Sequence, residues 1–192
     1  MKHAVVFYFS GTGNTRYCAM KMGILLAGRG IRTRVVSVES LSDAELETCV
    51  REAGLPVFAY PIYASDIPDP MKAFFRRLPD KSKHNDEPSI MAAVFCTQWL
   101  FSGDGGVLAD EELLPKGMRA EWTAHIPMPN NICLSAIRIP YTNDEGKLAA
   151  VRERASKRLE AFVDAIVSGR TYRQGQGFLS KPLGLMQRKP YR

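Results

Sequence analysis

The sequence predicts an α/β fold: a doubly wound, five-stranded parallel sheet with helices on both faces. Three observations predict it. Short apolar runs alternate five times with helix-period segments. Most of the runs are continuously apolar, as strands covered on both faces require. The first run also breaks into a glycine-bearing turn just before a helix, in Ser10-Gly11-Thr12-Gly13-Asn14-Thr15. A parallel sheet with a central first strand binds its ligands at that place.

Residues 3–9 (HAVVFYF) form the first strand. After the turn, Cys18, Met22, Leu25 and Leu26 share one stripe of a helix that begins at residue 15 and ends at Gly28 and Gly30. Residues 32–38 (RTRVVSV) alternate and are β-branched, which gives a second strand. Ser42 and Glu45 supply the cap and downstream acid of a helix that reaches residue 53. Residues 55–60 (LPVFAY) form the third strand, and the proline-rich loop 61–68 ends it. Pro70 sits in the first turn of a helix over 70–78.

After the solvated loop 82–88, residues 89–97 (SIMAAVFCT) are the most apolar stretch and are expected at the centre of the sheet. A loop with Trp99, Phe101 and Gly103 leads into a helix that ends near residue 114. Residues 121–126 (EWTAHI) form a fifth, weaker strand, followed by a long connection over 127–146. Leu148, Val151, Ala155, Leu159, Phe162 and Ile166 then step by three and four along an amphipathic helix. Residues 169–192 hold four glycines and no periodicity, so they are expected as an extension outside the core domain of 1–168.

Composition narrows the function classes. A chain of 192 residues, 45% hydrophobic and 24% charged, can bury the core of one ordinary domain. No apolar run is long enough to span a membrane, and the start lacks a small-residue cleavage site, so a cytoplasmic location is expected. Cys18, Cys49, Cys96 and Cys133 form no C-x-x-C pair, which excludes a zinc ribbon or a locally ligated iron–sulfur cluster. Cys18 and Cys96 fall in apolar segments and are read as reduced core thiols. The net charge of +6 resides in Arg170, Arg173, Lys181, Arg188, Lys189 and Arg192, leaving 20 basic and 20 acidic side chains in the body. A basic tail on a neutral body argues against nucleic acid as the partner.

The turn after the first strand has the chemistry of a phosphate cradle. Gly11 and Gly13 let the backbone coil with its N–H groups inward, Ser10, Thr12 and Thr15 carry hydroxyls, and Asn14 carries an amide. The helix that follows adds unpaired N–H groups and the positive end of its dipole. No Walker lysine is present, and Arg16 occupies the place of the third glycine in a dinucleotide fingerprint. A phosphate held without lysine or metal is an anchor, not a group for transfer.

This stretch resembles the phosphate-binding loop of the flavodoxin family, Ser/Thr-x-Thr-Gly-x-Thr, which Ser10 to Thr15 matches in full. Flavodoxin is itself one of the folds for which the binding rule of open parallel sheets is described. The resemblance implies a flavodoxin-like strand order 2-1-3-4-5 and an FMN cofactor whose phosphate meets Ser10, Gly11, Thr12, Gly13, Asn14 and Thr15. It also implies that two further loops hold the flavin ring. One contributes Pro61, Ile62, Tyr63 and Ala64, the other Thr97, Gln98, Trp99, Phe101, Gly103 and Asp104. Tyr63, Trp99 and Phe101 are the candidates for stacking, and the amides of 102–106 are candidate donors.

Shorter stretches, Tyr60-Pro61-Ile62-Tyr63, Ile126-Pro127-Met128-Pro129-Asn130-Asn131 and Gly184-Leu185-Met186-Gln187-Arg188, are similar to flavodoxin domains that precede a ferredoxin domain on one chain. The cysteine run of that second domain is not among these 192 residues.

The resemblance implies an FMN-binding electron carrier, with no catalytic side chain and no metal, that serves a ferredoxin-like or reductase partner as a monomer or homodimer. One alternative is an FMN-dependent NAD(P)H:quinone-type oxidoreductase, in which residues 127–144 form a substrate pocket. Another is a cofactor-free interaction module. His3, His84 and His125 do not cluster, and His125 is either a proton relay or a structural residue. The tail is expected to meet an acidic partner, an anionic surface or a second subunit, or to act as a solubilising linker. Phe178, Leu179, Leu183, Leu185 and Met186 are its candidates for packing on the body or across a dimer.

Overall fold

The apolar runs become the strands β1 (His3–Tyr8), β2 (Arg32–Ser37), β3 (Leu55–Pro61), β4 (Ile90–Gln98) and β5 (Met118–Pro127), joined by a short β6 (Tyr172–Arg173). The helices are α1 (Asn14–Ala27), α2 (Asp43–Glu52), α3 (Asp69–Arg77), α4 (Ala109–Leu113), α5 (Glu145–Val167) and α6 (Ser180–Arg188). The computed structural model describes residues 2–80, 90–99, 103–130, 143–177 and 180–188. Phe101, Ser102, His84, Cys133, Phe178 and Leu179, and most of the 127–144 connection, lie outside the described residues.

All strands are parallel, in the order β2-β1-β3-β4-β5-β6. One face of the sheet is covered by α1 and α5, the other by α2, α3 and α4, each over its own apolar core. The first core is aromatic. Phe7 stacks on Phe58 at 5.6 Å, and Phe75 meets Phe58 edge-on at 5.3 Å. Crossovers leave β1 and β3 towards opposite edges of the sheet, so the carboxyl ends of these neighbours diverge and open a crevice.

Local chemistry explains most boundaries. Ser42 and Glu45 form the reciprocal capping box that starts α2. Pro115 allows only a short 3-10 turn, Leu114–Lys116, after the five-residue α4. β5 begins at Met118, three residues before the start expected from the sequence. Arg119 is exposed and Glu121 half-exposed, and the register with β4 shifts between Ala92 and Ala93.

The strand order over β1 to β5 is the expected one, but the sheet has six strands where five are expected. The sixth comes from residues read as lying outside the core. A two-residue strand has no periodicity to detect, and tertiary contacts hold it. Tyr172 and Arg173 pair with Trp122 and Thr123. The Thr123 hydroxyl donates to the Gln174 carbonyl at 2.8 Å, and the Trp122 indole donates to the Arg170 carbonyl at 3.0 Å. Tyr172 meets the fully buried Phe162 at 5.3 Å, edge to face.

Phe162→Ala should destabilise the chain by about 3–5 kcal/mol, because it opens a cavity under α5 and removes the ring that seats Tyr172. Urea unfolding followed by circular dichroism measures this.

Candidate functional site

The turn after β1 is drawn in on itself. Gly13 takes φ +93°, a left-handed conformation natural to glycine. The amides of Gly13 and Arg16 then converge on the Ser10 Oγ, at 3.2 and 3.1 Å. Both amides are thereby satisfied within the turn. The amides of Asn14 and Thr15, in the first turn of α1, have no carbonyl partner within the helix. No side chain of α1's first residues caps it.

Four strand ends are tied together above the sheet. Thr15 and Thr97 share a buried hydroxyl–hydroxyl bond of 2.8 Å, joining the first turn to the end of β4. The Thr97 carbonyl accepts the Ile62 amide at 3.0 Å, which brings in the loop after β3. The Gln98 carbonyl accepts the Met128 amide at 2.7 Å, and Asn14 Nδ2 donates to the Pro129 carbonyl at 2.9 Å. Between these ties lies an open cleft of about 100 Å³.

The cleft gathers eleven of the sixteen candidate residues: Ser10, Gly11, Thr12, Asn14, Thr15, Pro61, Ile62, Tyr63, Thr97, Gln98 and Trp99. Tyr63 and Trp99 are 39% and 40% exposed. The Tyr63 hydroxyl sits so close to Gly11 that a Cβ there would meet it at 2.8 Å. None of the described lining residues is charged. The Oε1 of Gln98 is buried and has no hydrogen-bond partner among the described residues.

Four other described candidates are not among the cleft's lining residues. Gly13 contributes to an outer groove along α1 with Tyr17, Met20 and Ile24. Ala64 and Ser65, at φ +49° and +58°, form the tight turn beyond Tyr63 and carry backbone strain. Gly103 packs against α6, and Asp104 lines a separate pocket beside Lys181. Met128, Pro129 and Asn130 also line the cleft and were not among the candidates. The signal for them was their position after the fifth strand, at the same edge of the sheet. Asn14 and Thr15 spend side-chain bonding capacity on loop ties, and the Ser10 hydroxyl oxygen accepts two amides of its own turn.

The flavodoxin family model matches residues 6–97, from within β1 to Thr97. The fold is flavodoxin-like. Its structure is similar to that of oxidised Flavodoxin 2 from Bacillus cereus, with TM-score 0.58 and 14% identity, covering 87% of this chain and 99% of that one. The two-electron reduced flavodoxin of Megasphaera elsdenii gives TM-score 0.53 and 17% identity, covering 80% of this chain and 98% of that one. Rubredoxin oxygen:oxidoreductase from Desulfovibrio gigas gives TM-score 0.54 and 14% identity over 84% of this chain, which spans only 37% of that longer protein. No curated protein matches the sequence. Likeness at these identities speaks for the fold alone.

His125 of β5 is buried and is not among the residues that line the cleft. Its Nε2 accepts the Gly106 amide at 3.2 Å, and its ring fits between Gly106 and Gly175, each of whose missing Cβ atoms would lie within about 3.1 Å of it. Burial lowers its pKa from 6.5 to about 4, with the Arg158 charge adding to the effect and Asp104 opposing it. Burial raises the phenols of Tyr60 and Tyr63, which keeps both neutral. The Tyr60 hydroxyl donates to the Gly105 carbonyl at 2.9 Å and holds that turn from the β3 side.

Two outcomes follow from these ties. Thr15→Val leaves the buried Thr97 hydroxyl unpaired and should cost about 2 kcal/mol. The Thr15→Val/Thr97→Val double variant should cost clearly less than the two single changes added, in a double-mutant cycle by chemical denaturation.

The imidazole of His125 binds a proton less readily in the folded chain than in the unfolded one. Its contribution is therefore full above pH 6.5 and is lost as pH falls towards 4. The loss should be on the order of 3 kcal/mol, and His125→Gln should flatten stability against pH across that window.

Proposed function

We propose that the chain binds FMN in this cleft and works as an electron carrier. The observation that carries the reading is the cleft itself: the hydroxyl-bearing residues of the first turn, the aromatic rings of Tyr63 and Trp99, and Gln98 Oε1, which has no partner among the described residues. The residues fit the nucleotide. Ser10, Thr12 and the amino-terminal amides of α1 would take the phosphate, with the helix dipole favouring its charge. Tyr63 and Trp99 would bound the ring, and Gln98 would accept an N–H from it. FMN supplies the electron chemistry when bound.

The chain's own part is to bind, to orient and to exclude water. Neutral phenols and an uncharged cleft wall suit a group whose charge changes on reduction. Among the described residues that line the cleft none carries a charged or imidazole side chain, which favours a carrier over a substrate-specific enzyme. We place its action in the cytoplasm, with a ferredoxin-like or reductase protein as partner. The buried free thiols of Cys18, Cys49 and Cys96 suit a reducing compartment. No helix among the described residues is long and apolar enough to cross a membrane.

A second reading, an FMN-dependent NAD(P)H oxidoreductase, draws on Met128, Pro129 and Asn130 forming part of the cleft wall. Stopped-flow mixing with NADH or NADPH separates the two: the flavin of a carrier stays oxidised, and rapid bleaching favours the enzyme.

The purified chain should bind FMN with a micromolar or tighter constant, and riboflavin at least about a hundredfold more weakly, since phosphate contacts are charge-assisted. Equal affinity for the two would remove the role given to the first turn. Gln98→Leu should move two measurements in opposite directions. The FMN-free chain should gain about 1 kcal/mol of stability on losing a buried unpaired group, while FMN affinity should fall about tenfold.

A further inference from the structure

The turn over residues 103–106 is held from three sides. From β3, the Tyr60 hydroxyl takes the Gly105 carbonyl. From β5, His125 Nε2 takes the Gly106 amide. The third hold comes from the tail. Gly103, at φ +55°, lies so close to α6 that a Cβ on it would meet Gly184 Cα at 2.8 Å, Gly184 N at 3.1 Å and the Ser180 carbonyl at 3.2 Å. Gly184 is buried, whereas Leu185 and Met186 are 48% and 66% exposed. The helix therefore docks backbone to backbone through a glycine, and Leu185 and Met186 contribute little to the contact.

The rest of the tail fixes where α6 begins. Tyr172 and Arg173 extend the sheet, and Arg173 pairs with Asp110 at 3.3 Å with both side chains under 20% exposed. The Gln174 side chain accepts the His125 amide at 2.7 Å, and Gly175 closes on the His125 ring. A contact between two glycines has almost no room to adjust, so it sets a distance more than it supplies energy. Gly103 follows the cleft residue Trp99 by four positions.

We propose that Gly184 and Gly103 are positioning residues, and that α6 is a clamp setting the Trp99 side of the cleft and thus how tightly a flavin nucleotide is held. The last clause rests on the function proposed above. The clamp itself does not.

The test uses the full chain. Gly103→Ala inserts a methyl between the turn and α6. Gly30→Ala is the control, because Gly30 also has a positive φ, +77°, but its Cβ would meet nothing within 4 Å. Two readouts are taken: FMN affinity by quenching of flavin fluorescence, and acrylamide quenching of tryptophan emission in the FMN-free chain. The second reports Trp99, which is 40% exposed against 4% for Trp122.

Gly103→Ala is expected to weaken FMN at least about fivefold, the lower end of ordinary coupling between separate sites, and to change the quenching of Trp99. Gly30→Ala should do neither. In a chain truncated after residue 177, Gly103→Ala should have no further effect on either readout. Wild-type values for Gly103→Ala in the full chain overturn the proposal. So does an effect that persists undiminished after truncation, since the strain of the turn alone would then be responsible. If the truncated chain does not fold, the comparison with Gly30→Ala decides. If the full chain binds no FMN, the proposed function fails, and Trp99 quenching still decides whether the clamp exists.

Discussion

The carboxyl edge of this sheet depends on Thr97. Its backbone lies in register between Pro61 of β3 and Ile126 of β5. Its carbonyl holds the loop after β3, and its hydroxyl meets Thr15 of the first turn, 82 residues away. Parallel strands are joined by crossovers, so loops that meet at one edge come from distant parts of the chain. No local interaction can hold such loops together. The cleft keeps its shape because buried polar groups at the strand ends bond across those separations. Leaving any of them unpaired costs more than the bond gains.

This separation also explains what could be read from the sequence. The capping box of α2 joins Ser42 to Glu45, and the first turn packs its chemistry between Ser10 and Thr15. Both are local, and both are legible. The tie from Asn14 to the Pro129 carbonyl was not legible, because that carbonyl lies 115 residues away and is a backbone group common to all residues. His125 looked like a possible relay because strand order places it near the cleft edge. The glycines on either side of it, which turn it into a buried packing residue, come from two different loops. Tyr63 and Trp99 were legible as aromatic groups in strand-end loops, while the buried, unpartnered state of Gln98 Oε1 is a fact of three-dimensional packing alone.

The tail shows how composition misleads about architecture. Six cations, no acid and four glycines read as a solvated extension. Yet Arg173 is committed to Asp110, whose other oxygen accepts the Ala120 amide in β5, and the pair is largely shielded. A partly buried ion pair is weak evidence for net stability, but it is demanding about geometry. With the Trp122 indole on the Arg170 carbonyl and Gln174 on β5, it fixes the register of a strand two residues long. Glycine, which lowers any propensity for regular structure, is what lets Gly175 and Gly184 approach so closely. The feature that made the segment look unstructured is the one that allows it to pack.

The absence of charge from the described cleft wall bears on how a flavin would be held. A lysine in the cradle would bind a phosphate more strongly, but it would also place a fixed positive charge close to the redox centre and bias the ring towards its reduced, more negative form. Hydroxyls and helix-terminal amides offer partial charges that act over the first turn of the helix and fade beyond it. Arg16, the cation nearest in sequence, contributes its amide to the turn, while the residue itself lines the outer groove of α1. On the function proposed above, anchoring and tuning would fall to different groups: dipoles would hold the phosphate, and Tyr63, Trp99 and Gln98 would surround the ring. A carrier would need that separation, because the grip on its cofactor must survive both oxidation states.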